Sequence, residues 1–261
     1  MNIILICYTN NFSYGRIHFG LAQISSILKD NGYKVNLVYI KEGEIISKKV
    51  KEILLYEPDF IAMSASTNHY DFVKDISTQI KMIYNIPFFV GGSLPTYMPE
   101  KTLNIPGVDI IFRGESEFQF LELINKIRDN KNYDGVKNIC FKKDGKIIKN
   151  PLENLITELD KFPFIDRELF NYKEMMKVTH NRAEFIASRG CPYRCSYCYS
   201  NFYHKLYKKQ NVVRFRSPKN IVDEIKLVKQ KYNPSSILFQ DDTFVYNKNW
   251  IKSFVIYIKK K

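Results

Sequence analysis

Residues Asn2-Ile-Ile-Leu-Ile-Cys7 (NIILIC) form a short, unbroken apolar run rich in β-branched side chains, which reads as a strand buried on both faces. A polar, turn-rich loop follows. Residues 17–29 then place Leu21, Ile24, Ile27 and Leu28 at helical spacing before Asn31-Gly32 stops the pattern. The alternation repeats, with strands expected at 35–40, 60–63, 87–90 and 110–112 and helices at 45–55, 72–84 and 117–127. Strand and helix thus alternate about five times within roughly 125 residues, the pattern of a doubly wound, Rossmann-like parallel sheet in an α/β protein.

Beyond this series the rhythm changes. Residues 136–148 read as a small β-hairpin around Lys143-Asp144-Gly145-Lys146, because Asp-Gly suits a two-residue turn. The stretch Leu159-Asp-Lys-Phe-Pro-Phe-Ile-Asp-Arg-Glu-Leu-Phe170 has no strong period and reads as an ordered connector. A second βα series has strands at 184–188 and 237–239, a basic helix near 218–231 and a last helix at 247–258. The expected division is 1–128 for the sheet domain, 129–180 for the connector with its hairpin, and 181–261 for the second series.

Five cysteines are an odd number, and three of them, Cys191, Cys195 and Cys198, fall within eight positions. This disfavours a disulfide framework and favours a metal site in a reducing cytoplasm. Three thiolates at CxxxCxxC on one loop after a strand can wrap an iron–sulfur cubane and leave its fourth iron open. A structural zinc site prefers four closed ligands, and the nearest further candidate is His204, six residues on. Cys7 and Cys140 read as structural.

The segment Ser188-Arg-Gly-Cys-Pro-Tyr-Arg-Cys-Ser-Tyr-Cys198 resembles the signature of radical S-adenosylmethionine enzymes, with Arg189-Gly190 before the first cysteine and Tyr197 before the last. The resemblance implies that Cys191, Cys195 and Cys198 hold a 4Fe–4S cluster whose open iron is chelated by S-adenosylmethionine. In that family, an electron from the cluster cleaves the cofactor to methionine and a 5′-deoxyadenosyl radical. Arg214-Phe-Arg216-Ser-Pro218 and Ile237-Leu-Phe-Gln-Asp-Asp242 agree with the family. The resemblance implies cofactor contacts for Tyr197, Arg216, Asp241 and Asp242, the aspartates reaching the methionine ammonium or the ribose. The alternative for Asp242 is a helix N-cap.

The first domain, placed before such a core, resembles the cobalamin-binding domain of cobalamin-dependent radical enzymes. The matching pieces are Tyr14-Gly15 through Phe19-Gly20-Leu21-Ala22, Ser64-Ala-Ser-Thr67, Gly91-Gly92-Ser93 and Arg113-Gly114-Glu115-Ser-Glu117. All follow predicted strands, at the carboxyl ends where open α/β sheets bind ligands. The resemblance implies cobalamin contacts from Tyr14, Gly15, Ser64, Thr67, Gly91, Gly92, Gly114 and Glu115. The Asp-x-His-x-x-Gly motif that ligates cobalt in many such domains is absent; His18 falls within the first helix pattern and His69 after the third strand. A cobalamin bound here is therefore expected without a histidine beneath it.

Composition limits the partners. Hydrophobic residues at 45% with 11 Gly and 10 Pro exclude disordered and low-complexity classes. No apolar run approaches the ~18 residues of a membrane span, and the first residues do not read as a secretory signal. Residues 201–261 carry 14 Lys and Arg against 4 Asp and Glu, or +10 of the net +13. Four of the nine arginines, Arg189, Arg194, Arg214 and Arg216, surround the cysteines, where guanidinium suits carboxylate and phosphate groups. The lysines are scattered and read as solvated surface, so a small-molecule substrate and an external reductant of flavodoxin or ferredoxin type are expected rather than nucleic acid.

Only 70 residues follow Cys191, whereas a complete βα barrel takes roughly 200. The expectation is the first part of a radical S-adenosylmethionine partial βα barrel, with reduced or no activity by itself. Methyl transfer to an unactivated carbon, ring rearrangement and cyclisation are the reactions the resemblance implies. A non-catalytic cobalamin-binding module is the alternative from another class. A radical RNA-modifying methylthiotransferase is disfavoured, because those relatives carry three further N-terminal cysteines and this chain has only Cys7 and Cys140 outside the signature.

Overall fold

The computed structural model describes residues 1–9 and 16–259. The chain divides into two compact units: residues 1–9, His18–Glu153 and Ile165–Phe170 form the first, and residues 16–17, Asn154–Phe164 and 171–259 the second. No described helix is long and apolar enough to cross a membrane.

The first unit runs β1 (Asn2–Thr9), α1 (Phe19–Asp30), β2 (Lys34–Lys41), α2 (Ile46–Leu54), β3 (Phe60–Ser64), α3 (Tyr70–Ile83) and β4 (Phe88–Gly91). It continues through α4 (Ser93–Tyr97), α5 (Pro99–Leu103), β5 (Ile110–Phe112), α6 (Glu117–Arg128), β6 (Ile139–Lys143) and β7 (Lys146–Lys149). The seven strands form one sheet in the order β2-β1-β3-β4-β5-β6-β7. The first five are parallel, with Ile3 opposite both Val35 and Phe60, and β6 and β7 add antiparallel at one edge.

Side-chain alternation along β1 explains the layering. Ile4 and Ile6 join Val50, Ile53, Val73 and Ile76 of α2 and α3 in one core cluster, whereas Leu5 faces the side of Leu21 and Phe120, from α1 and α6. Both faces of the strand are covered, so its apolar run has no polar break. The expected hairpin forms at Asp144-Gly145, both at positive φ, and continues the sheet by pairing with β5.

In the second unit the elements are α7 (Tyr172–Val178), β8 (Arg182–Phe185), β9 (Ser188–Arg189), α8 (Tyr199–Leu206), β10 (Arg214–Phe215), α9 (Pro218–Tyr232), β11 (Ser236–Phe239) and α10 (Lys248–Lys259). Strand β11 pairs parallel with β8, and β10 pairs antiparallel with β9. The strand expected at 184–188 is therefore split: its first part takes β11 as neighbour and its last residues take β10. Phe185, Ile221, Val222, Val228, Trp250 and Phe254 are buried at the centre, where the Trp250 and Phe254 rings stack 5.4 Å apart at 7°.

Two local expectations change. Asp242 does not cap the last helix. Asn247 does, its Oδ1 accepting from the Trp250 N–H at 3.0 Å, because α10 starts five residues further on than a cap at Asp242 requires. His18 is not inside α1 but at its N-cap, where its Nδ1 accepts from the Leu21 N–H at 3.2 Å.

Gly190 and His18 lead to predictions. Gly190 has φ +83°, and a Cβ there would lie 2.1 Å from the Val212 carbonyl oxygen. Gly190→Ala is expected to destabilise the second unit by at least ~2 kcal/mol, from left-handed strain plus backbone displacement. Urea unfolding followed by the fluorescence of Trp250, the single tryptophan, measures it. Burial pushes the His18 pKa from its ordinary 6.5 down to about 4. Below pH 6.5 the unfolded chain takes a proton that the folded chain refuses, so this contribution is complete above pH 6.5 and is lost as pH falls toward 4. His18→Asn, which keeps a cap acceptor without titrating, should remove roughly 1–3 kcal/mol of this pH dependence, read as the difference between the two proteins' stability–pH curves.

Candidate functional site

Each unit carries its own candidate site. In the first unit, the carboxyl ends of β3 and β4 and the loop after β5 surround a cavity of about 170 Å³. Ser64, Gly91, Gly92, Gly114 and Glu115 all line it, together with Gly20 and Leu21 of α1. Five of the residues expected to contact cobalamin are thus brought together. Thr67 is not: it is exposed in the turn Thr67–His69 and lies outside the lining. Tyr14 and Gly15 fall outside the described residues.

The glycines are there for different reasons. A Cβ on Gly91 would meet nothing nearer than Phe112 Cβ at 4.0 Å, so the missing side chain leaves open space in the cavity. Gly92 sits at φ +92°, where a Cβ would lie 2.7 Å from the Ala65 carbonyl oxygen and 2.8 Å from Ser64 Oγ. That close approach of two loops demands glycine. Buried Thr96 ties the rim together: its hydroxyl donates to the Gly92 carbonyl at 2.7 Å and accepts from the Gly114 N–H at 2.9 Å. Thr96 lies on α4, a short helix that the sequence pattern did not reveal.

Phe89, Phe112 and Phe120 complete the lining with Leu5 and Ala62. In sequence these apolar residues cannot be told from the core that they extend. The result is an apolar slot with hydroxyl, carboxylate and backbone groups at its rim. This fits a flat heteroaromatic such as the base of a corrinoid's nucleotide tail.

Neither nearby histidine offers a lone pair to a metal. His18 Nδ1 accepts from Leu21, and His69 Nδ1 accepts from the Ser66 N–H at 3.4 Å. In a neutral imidazole the other nitrogen then carries the proton. Burial lowers the pKa of both. Cys7 and Cys140 are buried, and burial pushes the Cys7 thiol up to about 12 and the Cys140 thiol in the same direction. Both are inert packing thiols in this state.

In the second unit, the segment between β9 and α8 carries three free cysteines, Cys191 half-buried and Cys195 and Cys198 exposed. The Cys198 N–H donates to the Cys195 carbonyl at 3.1 Å, and Cys198 occupies the N-cap position of α8. His204 Nε2 lies 2.8 Å from the Cys191 carbonyl oxygen, so this ring fastens the loop and is not placed as a fourth metal ligand. Among the described residues no three histidine, cysteine or carboxylate side chains converge as a preformed metal cage. The donor set, three accessible soft thiols without a fourth, still suits a cluster that gathers its own ligands and keeps one iron open.

The remaining expected contacts divide sharply. Tyr197 is 92% exposed. Arg216 is engaged by the protein: Nη1 donates to the Ile186 carbonyl at 3.1 Å and pairs with buried Glu224 at 2.5 Å, and Nε donates to Asn220 Oδ1 at 2.7 Å. Asp241 is half-buried and accepts from the Ala187 N–H at 3.1 Å and from the Ser188 hydroxyl. Burial raises its pKa, and the hydrogen bonds from Ser188 and Ala187 act in the opposite direction. Asp242 is exposed.

Comparison with known proteins finds a family match in each unit. Residues 8–124 match the family model of the B12 binding domain, and residues 185–261 match that of the Radical SAM superfamily. An uncharacterized methyltransferase of Pyrococcus horikoshii is 27% identical over 248 residues, covering 93% of this chain and 52% of its own length. The anaerobic magnesium-protoporphyrin IX monomethyl ester cyclase of Rubrivivax gelatinosus is 28% identical, over 89% of this chain and 42% of its own.

Among solved structures, the cobalamin-dependent S-adenosylmethionine radical enzyme OxsB, with aqua-cobalamin and S-adenosylmethionine bound, superposes at a TM-score of 0.76 with 22% identity. It covers 99% of this chain and 36% of its own. The radical S-adenosylmethionine methyltransferase TsrM of Kitasatospora setae superposes at 0.74 with 16% identity, over 100% and 52%. The chain therefore spans about half, or less, of the length of these relatives. With a B12 binding domain in its first unit and a Radical SAM superfamily segment in its second, the chain is a radical S-adenosylmethionine protein with a cobalamin-binding domain.

Proposed function

We propose that Cys191, Cys195 and Cys198 hold a 4Fe–4S cluster that works with S-adenosylmethionine, and that residues 1–128 bind cobalamin without a histidine ligand beneath it. The observation that carries this reading is the set of three free, accessible thiols on one loop, in a chain whose other unit holds an apolar slot walled by glycine-bearing strand ends. When bound, the cluster supplies one electron to cleave S-adenosylmethionine, and the corrinoid supplies a carrier for a methyl group.

The chain's own residues bind and orient. Ser64 and Glu115 offer polar contacts at the slot's rim, and Phe89, Phe112 and Phe120 exclude water from its floor. Tyr197 and Asp242, both exposed beside the cysteine loop in sequence or at the end of β11, are the groups accessible to S-adenosylmethionine. The whole protein's reaction is methyl transfer to an unactivated carbon, or ring rearrangement or cyclisation, on a small molecule; methyltransferase and cyclase relatives support this class. A one-electron reductant of flavodoxin or ferredoxin type and a reducing cytoplasm complete the proposal. Among the described residues the second unit has one parallel strand pair, β8 with β11, where the resemblance implies a partial barrel of about six βα units, so little turnover is expected from these 261 residues alone.

Anaerobic reconstitution with iron, sulfide and hydroxocobalamin tests the reading. Iron uptake with a cluster absorption band and stoichiometric retained cobalt are expected, with little 5′-deoxyadenosine released. Cys195→Ala should lose the iron and keep the corrinoid. Gly91→Val, which places a side chain in the slot at a position without positive φ, should cut corrinoid retention at least roughly tenfold and leave iron uptake unchanged. A protein that retains no corrinoid and no iron, or Gly91→Val binding corrinoid as well as the parent, defeats the proposal.

A further inference from the structure

We infer that Asp241 is a positioning residue for the cysteine loop, and that Asp242 is the aspartate left for the cofactor. The inference rests on the proposed cluster and separates two neighbouring carboxylates that sequence treats alike.

Strand β11 ends at Phe239, and its pairing with β8 continues one residue further, as the Gln240 N–H donates to the Phe185 carbonyl at 2.8 Å. This register delivers the Asp241 carboxylate to the main chain where it leaves β8. Both oxygens accept from the Ala187 N–H, at 3.2 and 3.1 Å, and Oδ1 also takes the Ser188 hydroxyl. The opposite flank is held by Arg216, whose Nη1 binds the Ile186 carbonyl at 3.1 Å and whose own N–H binds the Ala187 carbonyl at 2.8 Å. The indole N–H of Trp250 in turn holds the Arg216 carbonyl at 2.6 Å.

The polar groups that residues 186–188 present are thus taken from two sides by partners about 30 and 54 residues away. Gly190 is then seated against Val212 with no room for a Cβ, and the next residue is Cys191. The segment is fixed up to the residue before the first thiol, while the loop beyond it is exposed. A carboxylate that accepts from two donors at one strand end, the Ala187 N–H shared between its oxygens and the Ser188 hydroxyl, acts on the cluster through the direction in which that strand releases the chain.

The test uses the full chain with Asp241→Ala, Asp241→Asn, Ser188→Ala, Asp241→Ala combined with Ser188→Ala, and Asp242→Ala. Hydrogen exchange of the 186–190 amides is read before iron is added. The EPR signal of the reduced, reconstituted cluster is then read before and after S-adenosylmethionine. Asp241→Ala is expected to speed exchange at Ala187 by roughly tenfold or more, the effect of one lost charge-assisted bond. It should also change the EPR signal before any S-adenosylmethionine is present.

Ser188→Ala, the milder change, should move both readouts the same way, and the double variant should go no further than Asp241→Ala. Asp241→Asn, which keeps an acceptor oxygen, should restore protection. Asp242→Ala should leave exchange and the cofactor-free spectrum as in the parent and alter only the response to S-adenosylmethionine. Parental exchange in both Asp241→Ala and Ser188→Ala, or an Asp241→Ala defect confined to the cofactor response, overturns the inference. A parent chain that takes up no iron defeats the cluster reading, and the exchange data still decide the role of Asp241.

Discussion

Strand β1 of the first unit is buried on both faces and hydrogen-bonded on both edges, and the rest of that unit is arranged around this constraint. Ile3, Ile4, Leu5 and Ile6 have no exposed surface, and β1 pairs in parallel with β2 and β3. Parallel pairing forces every return crossing through a helix, and burial of both faces forces helices onto both sides. The carboxyl ends of the strands then open on one edge, and the loops after β3, β4 and β5 meet there. The slot at that edge is a consequence of topology. Its size is set locally, by Gly91 and by the contact of Gly92 with Ala65 and Ser64.

The second unit obeys a different constraint: a strand that changes partner in mid-course. Phe185 pairs with β11 and Ser188 with β10, and the residues between them are held largely by side chains. The buried pair of Arg216 and Glu224 is not by itself a source of stability, since desolvation of two charges offsets much of their attraction. Its effect is geometric. With Glu224 and Asn220 fixing the guanidinium, Nη1 is aimed at the Ile186 carbonyl, and the chain leaves the strand in one direction. Arg216 was expected from resemblance to meet the cofactor; the structure shows its guanidinium engaged by Ile186, Asn220 and Glu224.

Periodicity in the sequence located the long elements to within a few residues, because their apolar positions recur at one period over several turns or along a whole strand. It missed α4, α5, α7 and α8, which are five to eight residues long, too short for a helical period to stand out. The Asp144-Gly145 hairpin was legible because its turn requires positive φ at both positions. The place of His18 was not, since an N-cap is decided by a side chain turning back onto its own backbone, and histidine is no usual signal for that.

The sequence by itself determined the α/β class, the order of the long elements and the three cysteines at CxxxCxxC, because these depend on local periodicity, turn chemistry and spacing along the chain. Tertiary structure alone decided which candidates share a site. It gathered Ser64, Gly91, Gly92, Gly114 and Glu115 around one cavity, left Thr67 outside, and added Thr96 and three phenylalanines. It also separated Asp241 from Asp242, one turned onto Ala187 and Ser188 and the other exposed. The physical reason is that convergence arises from strand register and from hydrogen bonds spanning fifty or more residues, and neighbours in sequence carry no record of either.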